Sequence, residues 1–192
     1  EDGYLSLANM GLGERGETVE TMADFEAAMN DLRALKLRAL AVDSMKALCR
    51  LVTKKNVGGD RAADKSDYTA IHWDMERLTN LLRSVAPVIL CVCPSDKSVN
   101  QLDGQTYVTP DLPGREAAGS AGWFDFVGFL RAQTISPTEV KRSVTFAPSS
   151  SVITRQRLPR PVTQDVRIPE SGGGWKAIMT ALEAALVEPK KT

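Results

Sequence analysis

The chain has 192 residues, of which 43% are hydrophobic, and its 24 basic side chains balance 24 acidic ones. This composition suits one ordinary domain with its own core over residues 1–192, and the balanced charge provides no overall field that would attract nucleic acid or an anionic membrane surface. No apolar run approaches the roughly 20 residues of a membrane helix, so we expect a soluble, cytoplasmic protein that makes no membrane contact.

The first predicted elements alternate between helix and strand. Apolar residues recur at helical spacing over residues 22–35, which predicts an amphipathic helix. The short apolar run of residues 37–44 then predicts a buried strand, covered on both faces as in α/β sheets. A short helix over residues 45–52, an exposed loop and a long helix over residues 68–85 follow.

A second apolar run over residues 88–93 repeats the strand pattern and predicts a parallel sheet with right-handed crossovers. A further strand is expected over residues 124–130. Alternating segments at 142–146 and 152–155 predict antiparallel edge strands, and the glycines at 172–174 precede a last helix that begins at Trp175.

The cysteines and the single histidine provide no metal or disulfide pattern. The spacing of Cys49, Cys91 and Cys93 fits neither a disulfide framework nor paired metal ligands, so we expect reduced core residues. His72 has no Cys or His at ligand spacing, which favours a partly exposed helix histidine over a metal ligand.

Asp43 stands at the carboxyl end of the first predicted strand, where open α/β sheets bind their ligands. Near a bound phosphate, this carboxylate could hold Mg²⁺ through water. Alternatively, Asp43 and Ser44 could simply cap the helix that begins near Met45. The stretch alone favours neither interpretation.

Basic residues are locally in excess between Lys141 and Arg167, where six basic residues accompany one acidic residue. The patch is either a sheet edge that charge protects from aggregation or a surface for single-stranded DNA, with Arg155 and Arg157 as its contacts. The absence of interleaved aromatic residues favours the protected edge.

Several motifs together resemble one known family. Residues 39–44, Ala-Leu-Ala-Val-Asp-Ser, resemble the Walker B strand of RecA-like P-loop ATPases, and Pro94-Ser95 resembles the polar sensor at the end of the next strand. Glu1-Asp2-Gly3 resembles the acidic strand end of the same core. Residues 112–115 and 123–127 are similar to the phage-encoded branch, so the resemblance spans nearly the whole chain.

This resemblance implies an α/β fold with a RecA-like P-loop NTPase core, a mostly parallel sheet flanked by helices and antiparallel edge strands near the C-terminus. It also implies a homo-oligomer that binds ATP and Mg²⁺ between subunits and acts in DNA recombination or replication. In the implied site, Glu1 orients or deprotonates the attacking water, Asp43 holds Mg²⁺ through water and Ser44 supports it. Ser95 senses the terminal phosphate, and Arg115 or Lys97 reaches a neighbour's phosphate.

The chain departs from the family pattern in one respect, because no G-x-x-x-x-G-K-[ST] phosphate loop occurs in the 192 residues. Either the strand, loop and helix that carry this motif precede Glu1 in a longer product, or the protein retains the fold without hydrolysing ATP. The first explanation predicts an ATPase, in the host cytoplasm if phage-encoded. The second predicts a non-catalytic structural or assembly protein, associated with a virion.

Overall fold

The computed structural model describes residues 4–6, 16–58, 61, 63–99, 104–114, 116–137, 139–147, 149–158, 160–170 and 172–186. The chain forms two compact units, one of Glu1–Ser95 with Asp111–Ala117 and one of Asp96–Pro110 with Ala118–Thr192. The single domain expected over residues 1–192 stays a prediction.

The elements up to the end of the second predicted strand all lie in the first unit. In chain order they are β1 (Tyr4–Ser6), β2 (Gly16–Thr18), α1 (Met22–Ala34), β3 (Leu40–Asp43), α2 (Met45–Val57), α3 (Asp67–Val85) and β4 (Ile89–Val92). The remaining elements are β5 (Ser95–Val99), β6 (Thr106–Pro110), α4 (Glu116–Gly119), a 3₁₀ turn (Ser120–Trp123), β7 (Phe126–Val127), β8 (Phe129–Ser136), β9 (Glu139–Thr145), β10 (Arg155–Gln156), β11 (Val166–Ile168) and α5 (Gly174–Leu186).

Helix ends in the first unit follow local sequence signals. Thr21 and Asp24 form a capping box at the start of α1, with Asp24 N–H donating to Thr21 Oγ1 at 3.2 Å and Thr21 N–H donating to the Asp24 carboxylate at 2.9 Å. Helix α2 is longer than predicted and ends at Gly58, which adopts a positive φ of 64°. Two polar side chains in its extension, Thr53 and Asn56, donate to backbone carbonyls one turn earlier, which accommodates them inside the helix.

The core of the first unit contains the apolar faces of α1, α2 and α3. The fully buried side chains include Phe25, Met29, Val52, Ile71, Met75, Leu78 and Leu82. Strands β3 and β4 pair in parallel, with Asp43 opposite Val92, as the repeated strand pattern predicts.

The expectation that β3 is covered on both faces is wrong for the part of the chain that the structure describes. Leu40 and Val42 are buried, but Ala41 and Asp43 are exposed. On β4, Leu90 is 42% exposed and Val92 is 46% exposed. An apolar run indicates that a strand can be buried. It does not show whether a second layer of structure covers the other face of that strand.

The second unit is mainly antiparallel. Strands β8 and β9 pair antiparallel, β11 joins the other side of β9, and β7 pairs antiparallel with β10. Helix α5 packs on this sheet around Val144, Phe146 and Leu182. The expected mostly parallel sheet is not confirmed, because too few residues separate β8 from β9 for the crossover that parallel pairing requires. Antiparallel pairing near the C-terminus is confirmed, but its details differ from the prediction. The segment predicted as an edge strand over residues 142–146 belongs to β9, the middle strand of its sheet, and of the segment 152–155 only Arg155 lies in a named strand, β10.

No helix within the described ranges is long and apolar enough to cross a membrane.

The three cysteines are free thiols that we expect to react slowly. Burial raises the pKa of Cys49 to about 11 and that of Cys91 to about 12, and burial is also the main cause of the raised pKa of Cys93. At pH 8 a thiol of pKa about 11 is ionised to roughly one part in a thousand, and the thiolate is the nucleophile. Iodoacetamide labelling should therefore be slow in the folded protein and fast in guanidinium chloride. Equal rates in both would contradict the burial of these thiols.

The first unit should lose stability in acid through Asp74. Burial alone would raise the pKa of Asp74, but hydrogen bonds from Asn56 at 2.8 Å and Lys55 at 2.9 Å outweigh it and hold the pKa below its ordinary value of about 3.9. This contribution is complete above the ordinary value and is lost as the pH falls through the folded pKa. The free energy of unfolding in urea should fall between pH 7 and pH 2.5, and this fall should be smaller in the Asp74→Asn variant. Asp31→Asn, which removes an exposed carboxylate of α1, should leave the acid dependence unchanged.

Candidate nucleotide site at the carboxyl edge of the parallel pair

The carboxyl ends of β3 and β4 form the edge at which a parallel pair presents ligand-binding residues. Asp43 is the last residue of β3 and is exposed. Ser44 follows through a cis peptide and caps α2, its Oγ accepting a hydrogen bond from Ala47 N–H at 3.3 Å. The capping role that the sequence left open thus belongs to Ser44, and the Asp43 carboxylate is available to a ligand.

A lysine and an aspartate that the sequence did not single out lie at the same edge. Lys46, in the first turn of α2, forms an ion pair with Asp111, and both side chains are about one-third exposed. Asp111 also donates its N–H to the Pro94 carbonyl at 2.8 Å, which ties it to the chain just after β4. We call Asp43, Ser44, Lys46 and Asp111 the strand-end cluster.

Cys93, next to Pro94, directly adjoins this cluster. Burial raises the pKa of its thiol, a backbone hydrogen bond from Asp111 lowers it, and the Asp111 carboxylate raises it again. Lys46 opposes these increases through its positive charge. The end of β4, the start of α2 and Asp111 are therefore neighbours in one electrostatic environment.

The segment Asp111–Ala117 is held on the helices of the first unit. His72 Nδ1 lies 2.9 Å and 3.0 Å from the two carboxylate oxygens of Glu116, whose side chain is 0% exposed. The Tyr68 ring lies against Gly114, where a Cβ would be 3.6 Å from its Cε1 atom. His72 is partly exposed, as predicted from its place on α3, and its contact with Glu116 positions the segment that carries Asp111.

The structure places only part of the predicted site. Asp43, Ser44 and Ser95 belong to the carboxyl edge, and Ser95 is exposed three residues beyond the end of β4. Lys97 is an exposed residue of β5 in the second unit. Glu1 and Arg115 lie outside the described residues, so their assigned roles stay predictions.

The two arginines assigned to single-stranded DNA make contacts within the second unit. Arg157 donates to the Asp125 carboxylate at 3.2 Å and to the Gly122 carbonyl at 3.2 Å. Arg155 belongs to β10, is partly buried and lies beside Gly122. Their role in DNA binding stays a prediction.

The donor set at the strand ends fits Mg²⁺ bound together with a phosphate. Within the described ranges, no three His, Cys, Asp or Glu residues form a group that could hold a metal ion by themselves. Mg²⁺ normally takes one or two carboxylates, retains several waters and completes its shell with substrate phosphates. Asp43 can provide the carboxylate, and Lys46 places a cation near the same edge to balance phosphate charge.

A comparison with models of protein families tests this resemblance. A family model described as AAA domain matches residues 8–158, which is most of the chain. The chain belongs to the AAA domain family. Searches of curated proteins and of solved structures found no significant match.

This AAA domain is a P-loop ATPase-like domain of the α/β class, and its function is of the nucleotide-binding ATPase type. The family match covers β3 and β4 together with the strand-end cluster. It therefore supports the coarser resemblance, that to an AAA-type P-loop ATPase-like domain.

A cavity of about 320 Å³ lies elsewhere on this AAA domain, between α1 and α3. Its two arginines bind groups of the facing helix, with Arg77 Nη2 at 2.5 Å from Glu26 Oε1 and Arg33 Nη2 at 2.6 Å from Ser84 Oγ. These contacts tie the two helices together. We therefore attribute the cavity to the packing of α1 on α3.

Proposed function

We propose that this AAA domain binds ATP with Mg²⁺ at the carboxyl edge of β3 and β4 and acts as a phage-type, RecA-like ATPase in DNA recombination or replication. The observation that carries the proposal is Asp43, an exposed carboxylate at the end of a parallel strand in a chain of this family. A carboxylate in that position suits a metal ion that bridges protein and phosphate oxygens.

The roles of the side chains follow from their chemistry. Asp43 holds Mg²⁺ through water, and Ser44 supports that arrangement from the cap of α2. The ammonium group of Lys46 pairs with the phosphates once Asp111 releases or shares this group. Ser95 senses the terminal phosphate. Glu1 acts on the attacking water, and Arg115 or Lys97 contacts the nucleotide of a neighbouring subunit in a homo-oligomer.

Paramagnetic broadening tests the location of the site directly. With Mn²⁺ replacing Mg²⁺, Mn²⁺–ATP should broaden the amide signals of residues 43–46, 93 and 95 of the labelled protein more than those of residues 22–34. Asp43→Asn should weaken Mn²⁺–ATP binding at least about tenfold, because a carboxylate is the expected protein ligand.

Asp31→Asn is the matched control for Asp43→Asn, since it removes an exposed carboxylate from α1 of the same unit. It should leave both affinity and broadening unchanged. Broadening centred away from the strand ends, or unchanged in Asp43→Asn, would contradict the site. Absence of any nucleotide binding would favour the non-catalytic assembly protein.

We also expect the 192-residue polypeptide to hydrolyse ATP negligibly, because it lacks the glycine-rich phosphate loop and positioning of phosphates supplies most of this catalysis. Phosphate release measured with Mg²⁺ checks this. Robust turnover that Asp43→Ala abolishes would mean that other residues of the chain cradle the phosphates.

A further inference from the structure

The zero net charge of the chain conceals an asymmetry between its two units. The second unit, Asp96–Pro110 with Ala118–Thr192, contains 11 basic and 8 acidic residues, an excess of three positive charges. The first unit carries the opposite excess, with 13 basic and 16 acidic residues. A polyanion would therefore be attracted to the second unit.

Strand register places three of these cations on one face of the sheet β8–β9–β11. Arg131 on β8 and Arg167 on β11 both lie opposite Ser143 of β9. Lys141 is two residues from Ser143 and shares its face, because side chains alternate along a strand. Arg131 and Arg167 are thus two strand spacings, about 10 Å, apart at the backbone, with Lys141 along the strand between them.

Helix α5 covers the other face of this sheet. Val144, Val166 and Ile168 point the other way from Ser143 and Arg167 along their strands, and they pack with Leu182 and Ile178 of α5. The cation-bearing face lies opposite, and Arg131, Lys141 and Arg167 are exposed on it.

The cations on this face are little neutralised. Of the ion pairs among the described residues, none involves Arg131 or Arg167. Lys141 lies 3.9 Å from Glu139, an exposed and weak contact. The Arg131 guanidinium lies 5.7 Å from the centroid of the Phe129 ring, which holds the cation over the sheet.

We propose that this face, through Arg131, Lys141 and Arg167, binds the phosphate backbone of single-stranded nucleic acid. A sheet surface with cations and polar groups can contact phosphates along an extended strand, and a guanidinium plane can stack on a base. Gln133 and Ser143 add hydrogen-bonding groups to the same face. Among the described helices of the second unit, α5 packs on the opposite face, so none of them is placed on this face to enter a duplex groove, which favours a single strand over a duplex.

This assignment differs from the one based on sequence, which placed the contacts at Arg155 and Arg157. Arg157 already donates to Asp125 and to the Gly122 carbonyl, and Arg155 is partly buried. The sheet face instead offers exposed cations at defined spacing. The inference deepens the proposed function by naming the surface through which the domain would contact DNA. The binding that it predicts does not require ATP.

Fluorescence anisotropy with a labelled 20-nucleotide oligo(dT), without ATP, tests the proposal across a salt titration. In the triple variant R131Q/K141Q/R167Q, affinity at low salt should fall at least tenfold, and the slope of log affinity against log salt should fall by about 2, since each phosphate contact contributes roughly 0.7. The conservative R131K/R167K variant retains the charges and should keep the slope.

The matched control removes three exposed cations from the first unit, in R38Q/R50Q/K54Q, and should bind oligo(dT) as the original chain does. An equal loss in this control, or an unchanged slope in the triple variant, would overturn the proposal, as would absence of binding by the original chain. Tighter binding to a 20-base-pair duplex or to polyglutamate than to oligo(dT) would also overturn it. Because ATP is absent, failure of the nucleotide site would leave the result unchanged.

Discussion

Replacing His72 with alanine should destabilise the first unit by about 3 kcal/mol, because the fully buried carboxylate of Glu116 loses the imidazole that contacts both of its oxygens. The contacts with both oxygens offset part of the cost of burying this carboxylate. Glu116→Gln should cost less, about 1 kcal/mol, because the partly exposed His72 can be hydrated. Urea unfolding followed by circular dichroism measures both variants.

Two further variants separate the loss of this pair from a general loss of packing. The double variant H72L/E116M replaces the pair with apolar groups and should be less destabilised than His72→Ala, since a well-packed apolar pair can replace a buried ion pair. Thr69→Ala, on the exposed side of α3, should change stability by less than about 0.5 kcal/mol. A His72→Ala cost as small as that of Thr69→Ala would show that the contact does not hold Asp111–Ala117 in place.

Replacing Gly128 with alanine should destabilise the second unit by about 1–3 kcal/mol, the usual cost of overpacking. A Cβ on Gly128 would lie 2.5 Å from Cγ1 of Val144 and 2.7 Å from Cε1 of Phe146, both in the core under the sheet. Neither side chain can move away freely, because both are buried. Thermal unfolding of the variant should show the loss.

Gly119→Ala is the control for the Gly128 substitution, since nothing lies within 4 Å of a Cβ at Gly119. It should be nearly neutral. The double variant G128A/V144A removes the group that the new Cβ would meet and should be less destabilised than the sum of the single changes predicts. A neutral Gly128→Ala variant would contradict the close packing of Gly128 against Val144 and Phe146.

The sequence alone determined the helices and the parallel strand pair of the first unit. The apolar spacing that predicted α1 and α3 reports directly which side chains face a core, because a helix turns through a fixed angle per residue. The short apolar runs before Asp43 and before Pro94 identified β3 and β4 for a similar reason. Asp43 and Ser44 could be placed at a strand end because both follow such a run without interruption.

Only the tertiary structure decided how the strands of the second unit pair and which polar groups meet. Strand β11 pairs with β9 across a long intervening segment, and β7 pairs with β10 in the same way, and an apolar pattern does not encode which strands become neighbours. For the same reason, no sequence pattern indicates that Lys46 meets Asp111 or that His72 meets Glu116. Each of these contacts joins residues more than 40 positions apart, and an isolated charged residue carries no local signal of its partner.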